Sequence, residues 1–249
     1  MKIKHIEKIR TFWNAESEGY CSNHGEHLDQ SLHPSWGLFH IHENNLRLIM
    51  DDITSTTTLV ELGCGRGHDA VAFAELGATV IAVDVSDEQL RRAIPHPRVR
   101  NLSASAESLP IGVASVDIVI SDHGAFDHSP PSLLLKEVAR VLRPGGLLVV
   151  CAYSPLAFAC HNASTGKLSA ALQHPYPSDA IRFNGKITAV EYSYASWVKA
   201  FCAAGFEILR LEELRPAPDA PGYFSDLDEA DWASRWPCDI VWKVKKKPE

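Results

Sequence analysis

The sequence predicts an α/β protein built on a doubly wound sheet. Three observations predict it. From Thr57 onward, short apolar runs alternate with segments of helical spacing. The runs are apolar almost without interruption, as strands covered by helices on both faces must be. A glycine cluster, "VELGCGRGHDA", directly follows the first run, where such a fold turns from strand into helix.

Taken in order, residues 1–54 come before that pattern. They are polar, aromatic and His-rich, with a helical opening "IEKIRTFWNA" and a second helix expected at "HENNLRLIMDD". "TTLVELGCG" reads as the first buried strand and "HDAVAFAELG" as a helix closed by Gly77. "TVIAVDVS" is the second strand. "DEQLRRAI" is a short helix, with Ser86 and Asp87 suited to its N-cap. "VRNLSAS" and "VDIVISD" are strands three and four. "PSLLLKEVARVLRPGG" is a helix with Pro131 near its start and Pro144-Gly145-Gly146 as its end. "LLVVCAYS" is strand five. Residues 155–190 break the alternation, are rich in Ala, Ser, His, Asn and Pro, and read as a lid. A helix "YSYASWVKAFCAAGF", a strand "EILRLEEL", a loop through Pro216, Pro218 and Pro221 and a last strand "CDIVWKVKK" complete seven strands. The 249 residues, 45% of them hydrophobic, fit one domain. Its parts are a cap (1–54), a ligand-binding core (55–154), the lid (155–190) and the remainder of the sheet (191–249).

Composition narrows the function. The net charge of −7, from 31 acidic against 24 basic residues, leaves no basic footprint for a nucleic acid. The opening "MKIKHIEKIR" has no apolar segment and no run approaches a membrane span, so no membrane partner and a cytoplasmic site are expected. The six cysteines form no CxxC pattern and read as reduced.

Glycines at 63, 65 and 67 let a ligand lie against the backbone, and the next helix offers free N–H groups. A dinucleotide fingerprint needs glycine at position 68, which is His. Asp84, 21 residues beyond Gly63 and ending strand two, is placed to accept both ribose hydroxyls. A glycine turn and a ribose acid without a phosphate cradle suit a nucleoside carrying an amino-acid tail.

At this point the chain resembles class I S-adenosylmethionine-dependent methyltransferases of the small-molecule kind, the methyltransferase type 11 or UbiE-like group. "VELGCGRGHDAVAFAELGATVIAVDVSDEQLRRA" is similar to that family's first two motifs. "ESLPIGVASVDIVISDHGAFDH", "LLKEVARVLRPGGLLVV" and "AAGFEILRLEE" resemble its later segments, in order. The resemblance implies a Rossmann-like sheet with an antiparallel last strand, and S-adenosylmethionine as cofactor. It places Gly63, Cys64, Gly65 and Gly67 under the methionine and ribose, with Glu61 orienting that loop and the amino group. It places Asp84 on the ribose, Val85 on the adenine and Asp122 near the sulfonium. Tyr20 resembles a tyrosine that reaches the methionine carboxylate. Where the family often has Asp before Ala-Glu, this chain has Ser105, followed by Ala106 and Glu107, leaving an uncharged acceptor for the adenine.

Methyl transfer from a sulfonium needs a base only when the acceptor arrives protonated. In "VISDHGAFDH", His123 and His128 follow strand four and are the candidate bases; the alternative is that they cap the next helix or wall the pocket. Asp122, His123, Asp127 and His128 are legal metal ligands, but neighbours on one turn rarely converge on one ion, so no metal is expected. His33, Trp36, Phe39 and His40 of the cap, Phe126, and Tyr153 and His161 at the lid are the candidates for the acceptor pocket; the cap aromatics serve equally well as staples to the core. The chain lacks the NPPY-type tetrapeptide after strand four. An apolar pocket under a lid therefore favours a small organic acceptor, methylated at oxygen, nitrogen or carbon, handled by a monomer or homodimer. The alternative is a protein that binds the nucleoside without methyl transfer, or that uses it for another reaction.

Overall fold

The computed structural model describes residues 2–29, 33–162, 164–176, 180–183, 188–216, 224 and 226–248. Parts of the expected cap (30–32), lid (163, 177–179, 184–187) and proline loop (217–223) lie outside the described residues, as do the side chains of the "HGEH" stretch at 24–27.

The chain opens with helix α1 (Lys2–Asp29), then a two-stranded hairpin pairing Ser35–Trp36 with Ile41–His42. The alternating part follows: β1 (Thr58–Leu62), α2 (His68–Glu75), β2 (Thr79–Asp84), α3 (Asp87–Arg91), β3 (Val99–Ser103), β4 (Val116–Asp122), α4 (Pro131–Val141) and β5 (Leu142–Tyr153). After it come α5 (Pro155–Cys160), the hairpin strands Ala180–Phe183 and Thr188–Glu191, α6 (Tyr194–Ala203), β6 (Phe206–Leu214), α7 (Leu227–Arg235) and β7 (Asp239–Lys246). The seven strands form one sheet in the order β6-β7-β5-β4-β1-β2-β3. Pairs among β1 to β5 are parallel, and β7 runs antiparallel between β5 and β6. This is the Rossmann-like sheet of the expectation. Strand order reverses between β1 and β4, so their C-terminal ends open a crevice on one edge.

Burial explains the strands. Leu59, Val60, Leu62, Val80, Ala82, Val119, Val149 and Val150 are all inaccessible. They feed two clusters, one on each face of the sheet. On one face α4 and α6 bring Leu134, Val138, Trp197 and Phe201; on the other α2 brings Ala70, Phe73 and Ala74. Ser86 caps α3 as expected, its hydroxyl accepting from the Gln89 N–H.

Three local expectations are corrected. "HENNLRLIMDD" forms only one helical turn, Glu43–Leu46, and a 3₁₀ turn, Met50–Asp52. The cause is Glu43, whose buried carboxylate accepts from Ile49 N, Met50 N and Trp36 Nε1 and draws the chain back on itself after Arg47 at φ +49°. Helix α4 ends at Val141, and Pro144-Gly145-Gly146 belong to the start of β5. Before the last strand stands α7, which the loop reading lacked.

Candidate active site

A cavity of about 430 Å³ opens at the crevice. The loop after β1 forms its floor. Gly63, Gly65 and Gly67 all have positive φ, and Gly63 and Cys64 both donate to the Val83 carbonyl of β2. A Cβ at Gly63 would stand 2.6 Å from Gly124 Cα, whereas one at Gly65 would meet nothing within 4 Å. The first glycine is therefore required by contact with the loop after β4, and the second leaves open space for a ligand. Gly67 is the N-cap of α2 and does not line the cavity.

Asp84 accepts from Gly65 N at 2.8 Å and from Ser86 N at 2.7 Å. Burial pushes its carboxyl up, and those N–H groups oppose the shift. Val85, Ser105 and Ala106 line the same region. Ser105 Oγ accepts from Glu107 N, while the Glu107 side chain does not reach the cavity. Cys64 lines the cavity with its thiol pushed well up by burial, then by Glu61 and Asp84.

Glu61 is buried, and its Oε2 has no hydrogen-bond partner. Burial, Asp69 and Asp122 raise its pKa well above the carboxylate range. Asp69, which the sequence reading did not single out, is pushed up to about 8 by burial and then by Asp122. Asp122 accepts from Gly37 N at 2.8 Å through Oδ2, while Oδ1 is unpartnered. Burial raises it as well, with His123 and the Gly37 N–H opposing. The turn that supplies Gly37 also supplies Leu38 N, which donates to Asp239 at 2.8 Å.

His123 is not placed as a free base. Its Nδ1 lies 3.1 Å from Asp127 Oδ2 and its Nε2 3.1 Å from Asp239 Oδ1. Burial favours the neutral ring, but the Asp239 and Asp127 carboxylates outweigh it and raise the pKa well above its ordinary value. The ring is clamped between two carboxylates. Asp122, His123 and Cys151 also place ligand atoms within 4.8 Å of one another. Both His123 nitrogens lie against carboxylates, and burial pushes the Cys151 thiol well up. His128 lines the cavity, edge-on to Trp13 at 5.7 Å between ring centroids.

Of the acceptor-pocket candidates, Tyr153 lines the cavity and packs on His123 and Phe158. The other six do not line it. Trp36 is 1% exposed, donates to Glu43 and packs on Phe73; Phe126 packs on Trp197 in the core; Phe39 packs on Phe224. His33 and His161 are exposed, and His33 pairs with His42. His40 occupies the turn of the Ser35–His42 hairpin at φ +48°. Phe126 and Trp36 belong to the two core clusters, and Phe39 to a third with Ala157 and Trp232. The apolar wall comes instead from Ile6, Ile9 and Trp13 of α1, Leu38, Phe158 and Ala189. Tyr20 also lines the cavity, its ring 5.9 Å from Trp13. Helix α1 is fixed there by Asn14, which accepts from the Ser86 hydroxyl at 2.7 Å, and by Ser17, which accepts from Arg92 at 3.2 Å.

Residues 60–150 match the family described as "Methyltransferase domain". An uncharacterized methyltransferase of Mycobacteroides abscessus is 39% identical over 99 residues, covering 37% of this chain and 38% of that protein. A demethylmenaquinone methyltransferase of Clavibacter sepedonicus is 36% identical over 100 residues, covering 39% and 41%. The chain thus spans about two fifths of the length of the curated relatives it matches. The crystal structure of an S-adenosylmethionine-dependent methyltransferase from Mesorhizobium loti superimposes with a TM-score of 0.66 at 21% identity, over 84% of this chain and 100% of that one; it shares the fold.

Proposed function

We propose that this chain, which carries a class I S-adenosylmethionine-dependent methyltransferase domain, transfers a methyl group to a small organic acceptor at oxygen, nitrogen or carbon. The observation that carries the proposal is one cavity whose lining combines two kinds of residue: glycine turns and carboxylates (Glu61, Asp69, Asp84, Asp122), and the apolar or aromatic Ile6, Ile9, Trp13, Leu38, Tyr153 and Phe158. The first suit a cationic nucleoside and the second a flat organic molecule.

The residues fit the cofactor. Gly65 leaves space, Asp84 is preoriented by two N–H groups, and Glu61 and Asp122 each hold an oxygen in need of a donor. When bound, S-adenosylmethionine supplies a methyl group on a positively charged sulfur. The chain's task is to position the partners and exclude water. In this reading Asp84 keeps its remaining lone pairs for the ribose hydroxyls, and Val85 and Ala106 border the adenine. Helix α1 roofs the cavity through Ile6, Ile9 and Trp13. His123, clamped by two carboxylates, holds the loop after β4 in place. His128, at the rim beside Trp13, is the remaining candidate for taking a proton from a phenolic or ammonium acceptor. The chain works as one unit, with 1–54 as cap, 55–154 as cofactor core and 155–190 as lid.

Calorimetric titration with S-adenosylhomocysteine tests the first step, and saturable micromolar binding is expected. No heat at high micromolar ligand would overturn the reading. A second reading, binding without transfer, is favoured by the commitment of His123 to its carboxylates. An acceptor screen followed by mass spectrometry separates the two, since only the first yields a methylated product.

A further inference from the structure

Three residues that line the cavity meet at one carboxylate that does not line it. Leu38 comes from the turn of the Ser35–His42 hairpin, His123 from the loop after β4 and Tyr153 from the end of β5. The carboxylate is Asp239, which opens β7 and is 0% exposed. Its Oδ2 accepts from Leu38 N at 2.8 Å, and its Oδ1 lies 3.1 Å from His123 Nε2. In the sheet Asp239 stands opposite Tyr153, and the Tyr153 and His123 rings meet edge-on with centroids 4.6 Å apart. The hairpin is a sheet of its own, and its turn reaches the main sheet through Gly37 N on Asp122 and Leu38 N on Asp239. The turn is pressed close: a Cβ at Gly37 would lie 2.5 Å from Asp239 Oδ2.

Resting on the reading of the cavity as a methyltransferase site, we propose that Asp239 is the positioning residue of the acceptor wall. It fixes Leu38 and, through His123, Tyr153 at the spacing that receives a flat aromatic acceptor. A buried carboxylate is costly unless it is paired and hydrogen-bonded, and the partners that satisfy this one are two of the residues that shape the cavity. Asp239 thus acts through the side chains it holds, and a small displacement of such a wall is enough to spoil the fit of a reactant.

The test loads the full chain with S-adenosylhomocysteine by calorimetry, then titrates 2-naphthol, a flat phenol, by its fluorescence. Asp239→Asn keeps the shape but leaves one acceptor oxygen in place of two, and thermal melting checks that the variant folds. The expected result is about tenfold weaker 2-naphthol binding, a change readily resolved in an isotherm, with S-adenosylhomocysteine unaffected. Leu38→Ala leaves the carboxylate in place and should show the same selective loss. In the double variant the loss should be smaller than the two single losses combined, because one residue acts through the other. Unchanged 2-naphthol binding in Asp239→Asn would overturn the proposal. So would equal loss of both ligands, or fully additive losses, since either marks general loosening of the fold. If Asp239→Asn does not fold, Leu38→Ala decides: unchanged 2-naphthol binding there leaves no wall to hold. If the unsubstituted chain takes up S-adenosylhomocysteine but not 2-naphthol, the wall falls and the cofactor reading stands. If it takes up neither, the methyltransferase reading fails and the wall with it.

Discussion

His123 sits at φ +43° with a carboxylate on each ring nitrogen. Its charge is what makes both bonds good, so its protonation is tied to folding. Its folded pKa is raised, so the stability it contributes is fully present below its unfolded value of about 6.5 and is lost as pH rises through the folded value. His123→Gln should therefore cost about 3–5 kcal/mol near pH 6, the cost of stranding buried carboxylates. In urea melts across pH, that gap should narrow on the alkaline side; a gap that widens there would contradict the clamp. His128→Ala should instead leave stability nearly intact and lower turnover of a phenolic acceptor by about a hundredfold. Full rate at every pH would leave positioning alone to explain catalysis. The sequence could not divide these roles. "DHGAFDH" shows Asp127 beside both histidines, but Asp239, which fixes the outcome, lies 116 residues away from His123.

Among elements, the loops after β1 and β4 meet backbone to backbone. A Cβ at Gly124 would stand 2.3 Å from the Leu62 carbonyl, closer still than the 2.6 Å between a Cβ at Gly63 and Gly124. Gly124→Ala should cost about 1–3 kcal/mol as overpacking does, measured by denaturant unfolding, and should weaken S-adenosylhomocysteine binding by moving the glycine loop. Retention of both would show that the joint yields. The glycine loop, its strand and Asp84 were legible because their meaning is carried within 25 or so residues of sequence. Helix α7 was legible too, in hindsight: Asp226 caps it, with Asp228 and Glu229 in its first turn. The prolines ahead of it made the whole stretch read as loop. The acceptor side was not legible, because aromatic residues do not announce which way they face. Trp36 is consumed by Glu43 and Phe73, while Trp13, unremarked in its helix, faces the cavity.

At the scale of the molecule, β1, β2, β4 and β5 end at a pocket dense in carboxylates, and burial has raised Glu61, Asp69, Asp84 and Asp122 alike. A carboxylate raised on folding contributes stability that is present below its unfolded pKa and lost as pH climbs through the folded one. For Asp69 that window runs from about 4 to about 8. The ligand-free protein should thus lose stability across it, on the order of a few kcal/mol in sum. Asp69→Asn should flatten the slope, and thermal melts at a series of pH values read it. An identical slope in the variant would place the sensitivity elsewhere. The doubly wound sheet followed from the chain pattern, yet the Gly37–Leu38 turn that donates to Asp122 and Asp239 could not, since those contacts cross 85 and 201 residues. The roof over the pocket has a further consequence. The Ser86 hydroxyl that caps α3 is also the donor to Asn14 of α1. One hydroxyl thus serves two helices, and any displacement of α1 is felt at the start of α3.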